Sequence, residues 1–198
     1  MSLLVLIGAQ AVGKMTVGEA LSQEIDGRLL FNHQTIDLFA NFLGYDERTF
    51  ALSDRTRKEL FRAFVAKPEA NLVETIIFTI MIDFSGEADR DFLTEISDIF
   101  LAAGQSVYFV ELQADLETRL QRNQSDHRLQ KKPSKRDRQA SEQELRQSMS
   151  TYRLLSRPGE LAKLFPQVAT MVLDNTDLTA PVAAAKIRTY FELPKRKK

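Results

Sequence analysis

The chain has 198 residues, 43% of them hydrophobic and 27% charged, with 27 basic side chains matched by 27 acidic ones. That length suits one domain, with room for an insertion, and a parallel sheet covered on both faces. The zero net charge excludes an overall field that would favour nucleic acid or a membrane surface. The absence of cysteine excludes disulfides and thiol chemistry and suits a reducing compartment.

The first predicted element is a strand at residues 3–7, Leu3-Leu4-Val5-Leu6-Ile7. As an N-terminal apolar run it is too short to span a membrane and lacks a basic leader, so a cytoplasmic protein is expected. Directly after it stands Gly8-Ala9-Gln10-Ala11-Val12-Gly13-Lys14-Met15-Thr16, which reads G-x-x-x-x-G-K-x-T. A helix is predicted over 14–25, with Val17, Ala20, Leu21 and Ile25 on one helical period. Strand, glycine-framed loop, helix is the context of a nucleotide-binding P-loop. Gly8 and Gly13 let the backbone curl so that amides through Ala11, Val12, Gly13 and Lys14 point at phosphate oxygens. Lys14 adds a cation, and the helix contributes its positive end. Met15 occupies the place where the motif usually carries a Ser or Thr that holds Mg²⁺. Thr16 follows one position later, about 100° around the helix, and is a candidate for metal or phosphate.

Further strands are predicted at 28–31, 75–82, 107–112 and 168–173. The segment 75–82 is apolar and β-branched without alternation, as in a strand covered on both faces. Between the strands, helices are expected at 35–42 with Thr35 as N-cap and Gly44 as terminator, from Ser53 or Asp54 to Val65 before Pro68, and around Phe92–Phe100. Others are expected at 115–122, from the capping box Ser141-x-x-Glu144 to Leu155, and at 179–191. Strands alternating with helices mean an α/β fold with a parallel sheet, whose ligands bind beyond the carboxyl ends of the strands.

Four pieces fall at those ends, the first being the P-loop after the first strand. The second strand delivers Asn32-His33, with Asp37 one helical turn on. His33 could accept the proton of a substrate hydroxyl, bind substrate without proton transfer, or be structural; Asp37 is a competing base. The third strand delivers Asp83, either a carboxylate for Mg²⁺ or a turn residue. The fifth delivers Asp174-Asn175-Thr176. From Arg119 to Arg138 there are eight Lys or Arg against two Asp, a piece too polar to build a core. Beside a P-loop, such a segment suits a flap that places cations on the moving phosphoryl group and excludes water. Arg122 and Arg128 are the leading candidates, Arg119 and Arg136 lesser ones. Lys195–Lys198 reads as a solvated tail.

This order of parts resembles the small P-loop kinases related to nucleoside monophosphate kinases and shikimate kinase. The segments GAQAVGKMTVG, LFNHQTIDLF, IIFTIMIDF, VYFVEL and HRLQKKPSKRD look like a bacterial subgroup of kinase-like ATP-binding proteins. The resemblance implies a P-loop NTPase three-layer sandwich with a five-stranded parallel sheet in the order 2-3-1-4-5. It also implies a basic LID within about 123–140, a substrate-binding region at about 32–67 and a purine-contacting turn near Asn175. ATP and Mg²⁺ are the implied cofactors, with Asp83 and Thr16 as metal candidates. The second strand ends in Asn-His where shikimate kinases have an Asp-rich motif, and the third lacks their double-glycine turn. The Asp-Gly-Phe-Pro-Arg run of adenylate kinases is also missing. Neither shikimate nor AMP is therefore expected as substrate. Two readings remain. One is an ATP-dependent kinase of a small hydroxyl- or phosphate-bearing metabolite. The other is a nucleotide-binding switch or weak ATPase acting through a partner, which Met15 favours slightly. A deep acceptor cavity beside the P-loop would separate the first from the second.

Overall fold

A computed structural model describes residues 1–124 and 138–196. Five strands, β1 (Ser2–Ile7), β2 (Gly27–Leu30), β3 (Thr75–Ile80), β4 (Ser106–Gln113) and β5 (Ala169–Asp174), form one all-parallel sheet in the order β2-β3-β1-β4-β5. The expected fold class and strand order are both met. Among the described residues the helices are α1 (Lys14–Glu24), α2 (His33–Leu43), α3 (Glu47–Ala66), α4 (Glu87–Leu101), α5 (Leu116–Asn123), α6 (Arg138–Thr151), α7 (Glu160–Leu164) and α8 (Ala180–Tyr190). None of these is long and apolar enough to cross a membrane.

The central strand explains the layers. Side chains alternate across a strand, and every residue of β1 is apolar after Ser2. Leu3, Val5 and Ile7 enter one core with Phe61 and Phe64 of α3, Phe92, Ile96 and Phe100 of α4, and Leu161 of α7. Leu4 and Leu6 enter the other with Val17 and Leu21 of α1 and Ala183 and Ile187 of α8. In register, Ile7 lies level with Ile80 of β3 and Glu111 of β4. The loops that leave β1, β3 and β4 therefore open at one edge of the sheet, the edge where ligands bind in such folds.

Phe61 is completely buried and meets Phe78 and Phe100 edge-on, with ring centroids 5.7 and 5.8 Å away. Phe61→Ala should lower unfolding stability by about 3–5 kcal/mol, the range for emptying a buried aromatic site. Urea unfolding checks this, and a loss below about 1 kcal/mol would mean that the site collapses to fill the space.

Several expected boundaries move. α3 starts at Glu47, with Asp46 as its cap accepting from the Arg48 and Thr49 amides. Ser53 and Asp54, read as caps, sit inside the helix, where Ser53 bonds Thr35 and Asp54 bonds Arg57. α2 starts at His33, so Thr35 lies within it; its hydroxyl accepts from Arg57 Nε at 2.8 Å. β3 stops at Ile80, level with the residue at which β1 turns into the loop and the ladder partner ends. α6 is already under way at Ser141, which is buried and donates to Asn123 Oδ1 in place of capping. The basic tail is partly bound: Lys195 bridges to Ile25, and the Arg196 amide donates to Glu24 O.

Candidate active site

The loop between β1 and α1 has the backbone that its glycines foreshadow. Gly8 has φ 149°, and a Cβ there would stand 2.5 Å from Leu112 O. Gly13 has φ 107° and Ala11 φ 60°, left-handed values that turn successive amides toward one concavity. Lys14 Nζ donates to the loop's own Gly8 and Ala9 carbonyls at 2.6 and 2.8 Å. Its charge is thereby held at the mouth of the concavity.

Two side chains brace this loop from the β4–β5 side. Arg122 on α5 donates from Nη1 to Val12 O at 3.0 Å and from Nη2 to Asn175 O and Thr176 O at 2.8 and 3.1 Å. Asn175, at the end of β5, also donates to Val12 O at 3.0 Å. Arg122 was expected on a flap; it is instead tied to loop and turn carbonyls, and burial pulls its pKa down. Arg119, one helical turn earlier, is 5% exposed. Its Nε donates to Gln10 O at 2.9 Å, and its Nη2 is buried without a partner among the described residues. Burial lowers its pKa too. A buried guanidinium against the P-loop backbone supplies positive potential where an anion would sit. Its sequence gave little sign of this, because nothing local distinguishes Arg119 from its basic neighbours.

On the β2–β3 side, His33 Nδ1 lies 3.0 Å from Asp37 Oδ1, and the Tyr45 hydroxyl donates to the same oxygen at 3.0 Å. With Nδ1–H directed at Asp37, the neutral imidazole carries its lone pair on Nε2. The turn that presents His33 is fixed from behind. Arg57, 3% exposed, donates to Asn32 O, Thr35 Oγ1 and Asp54 Oδ1 at 2.8 Å each. Burial pulls the Arg57 pKa down to about 10. The Asn32 amide donates to Thr79 Oγ1, stitching the turn to β3.

The loop, Arg122, Asn175 and His33 line one cavity of about 1010 Å³, while Asp37, Arg57 and Arg119 stand behind its wall; the volume has room for a nucleotide and a second small molecule. The P-loop residues Gln10 to Val17 form its middle, with Lys14, Met15 and Thr16 in the wall. Arg122, Asn175, Leu178 and Thr179 line it on the β4–β5 side; Asn32, His33, Ile36, Tyr45, Phe50 and Met81 line it on the β2–β3 side. α6 adds Glu144, Gln147, Ser148 and Thr151, and Tyr152 follows directly after it. The four on α6 share one helical face.

Asp83 does not line this cavity. Its carboxylate accepts from the Ser85 amide and hydroxyl and from the Arg153 amide. Those bonds, the Ser85 hydroxyl first, hold its pKa below the usual carboxylate range. Asp83 therefore clamps the end of β3 to the chain after α6. The lining offers other hard oxygens for Mg²⁺, the Thr16 hydroxyl and the Glu144 carboxylate. That set suits a cation that takes only one or two protein ligands alongside phosphate and water. Arg128, Arg136 and most of the expected LID lie outside the described residues.

No family model and no curated protein sequence matches the chain. Solved structures do. A candidate kinase from Chloroflexus aurantiacus superimposes with a TM-score of 0.58 at 14% identity, covering 96% of each chain. The tunicamycin resistance protein of Deinococcus radiodurans gives 0.54 at 12%, covering 100% of this chain and 99% of that one. Shikimate kinase from Bacteroides thetaiotaomicron gives 0.51 at 12%, covering 97% and 99%. The chain has the fold of the small P-loop kinases. At these identities the likeness speaks for the fold, and the chemistry must be argued from the side chains.

Proposed function

We propose that the chain is an ATP-dependent kinase of a small hydroxyl-bearing molecule, acting in the cytoplasm. One observation carries this reading: a single cavity joins a braced P-loop on one side to a His–Asp pair on the other. A nucleotide on the loop and an acceptor beside His33 would be neighbours in it. The loop amides and Lys14 hold the phosphates, Arg122 and Asn175 keep the loop in shape, and Arg119 adds positive potential behind it. His33, oriented by Asp37, takes the acceptor's proton as the acceptor oxygen bonds to the γ-phosphorus. The bond from that phosphorus to the β–γ bridging oxygen breaks, and ADP leaves. Mg²⁺, held by phosphate oxygens with Thr16 or Glu144, would neutralise charge on the phosphates.

The cavity beside the loop also favours this reading over a switch, which needs no second compartment. The test is ATP consumption with Mg²⁺ across nucleosides, nucleotides, sugars, antibiotics and hydroxylated acids. Stimulation by one acceptor class is expected. Slow turnover indifferent to every acceptor would count for the nucleotide-binding switch.

A further inference from the structure

A buried polar chain ties the phosphate loop to α6. Gln10, Arg119, Asn123 and Ser141 are all buried. The Gln10 side chain leaves the loop, and its Nε2 donates to Ser141 O of α6 at 3.2 Å. The Ser141 hydroxyl donates to Oδ1 of Asn123, the last residue of α5, at 3.1 Å. From α5, Arg119 donates through Nε to Gln10 O at 2.9 Å and through Nη1 to Met149 Sδ of α6 at 3.4 Å. Burying such groups costs stability wherever a bond is missing, and Arg119 Nη2 and Asn123 Nδ2 have no partner among the described residues. The loop motif itself asks for glycines and a lysine and leaves this position open, so it does not account for a glutamine aimed at another helix.

Peptide geometry says what the chain can do. In a trans peptide the carbonyl and the following N–H point opposite ways. Arg119 draws the Gln10 carbonyl toward α5, which turns the Ala11 N–H the other way, toward the concavity. Arg122 does the same for the Val12 carbonyl and the Gly13 N–H. A phosphate oxygen that accepts from the Ala11 N–H polarises that peptide and makes the Gln10 carbonyl a better acceptor. The Arg119 bond then strengthens, and both Arg119 and Gln10 reach α6.

We infer that Gln10 and Arg119 are positioning residues that couple phosphate on the loop to α6, the helix whose Glu144, Gln147, Ser148 and Thr151 line the cavity. Filling the loop steadies that wall, and by linkage a steadier wall tightens phosphate binding. The inference rests on reading residues 8–16 as a phosphate loop.

The test is hydrogen exchange across residues 141–151, followed by mass spectrometry with and without saturating magnesium and ADP. In the wild type ADP should slow exchange there by at least about fivefold, the lower end of ordinary coupling between sites. Gln10→Met keeps the length of the side chain but has no donor; at saturating ADP the slowing should fall below about twofold. Arg119→Met should do the same and also weaken ADP binding about tenfold, as expected for losing a bond from a charged donor. Ser141→Ala is the control. It loosens the start of α6 through Asn123 but keeps the carbonyl that Gln10 uses, so exchange should quicken in both states while the ADP-dependent slowing survives. A merely structural role for Gln10 would quicken exchange without ADP and leave that slowing intact. Full slowing in Gln10→Met and Arg119→Met, or a loss in Ser141→Ala as complete as in Gln10→Met, would overturn the inference. ADP that binds the wild type without slowing exchange in α6 would sink the inference alone. No ADP binding at all would sink the phosphate-loop reading, and the inference with it.

Discussion

Lys14→Ala should abolish acceptor-dependent ATP turnover, a fall in kcat of about a thousandfold or more. The ammonium sits at the mouth of the loop, 2.6 and 2.8 Å from the Gly8 and Ala9 carbonyls. In the proposed reaction its charge is needed on the β- and γ-phosphates, where negative charge builds up on the leaving oxygen. Those same two bonds complicate the experiment, because removing them could loosen the loop. The control is thermal unfolding with and without ADP. A variant that melts like the wild type alone but has lost its ADP-induced shift has lost a phosphate contact. Turnover at the wild-type rate would refute the P-loop assignment outright.

His33→Ala should slow phosphoryl transfer by about 10²- to 10⁴-fold, the usual worth of a positioned general base. ATP affinity should change little, because the phosphate contacts come from the loop residues in the middle of the cavity and not from His33's wall. Asp37→Asn should give a smaller loss of the same kind. It leaves the imidazole in place but weakens the bond that directs Nδ1 at 3.0 Å. If His33→Ala lowers ATP binding and transfer equally, the histidine is structural. Its bond network gives that outcome a clear route, since the turn carrying it is held by Arg57 and Thr79.

Local patterns made the P-loop legible. A glycine is recognisable where φ must be positive, and Gly8 and Gly13 both stand at such angles. The order of apolar strands and helices likewise carried the parallel sheet, because both periods are short and the central strands β1 and β3 are buried along their whole length. The sequence offers His33 and Asp37 as competing bases, with His33 ahead of a helix at 35–42; the structure starts α2 at His33 and brings the two together at 3.0 Å, four residues apart on one helix. Asp83 shows where such reasoning stops. Its position after an apolar strand suited a metal ligand, yet its carboxylate is taken by Ser85 and by the backbone of Arg153, a partner 70 residues away.

The same contrast runs through the rest of the chain. Its own sequence determined the sheet, the glycine-framed loop and the strand ends at which polar groups would gather, because each is written in spacings of a few residues. Only the tertiary structure decided which of those groups face one another. Arg122 became a brace for Val12 and Asn175, Arg119 a buried cation behind the loop, and Glu144 part of the cavity wall. Each of these depends on packing between segments far apart in the chain. Burial, and with it the meaning of a charged side chain, is set by that packing and not by the neighbours in sequence.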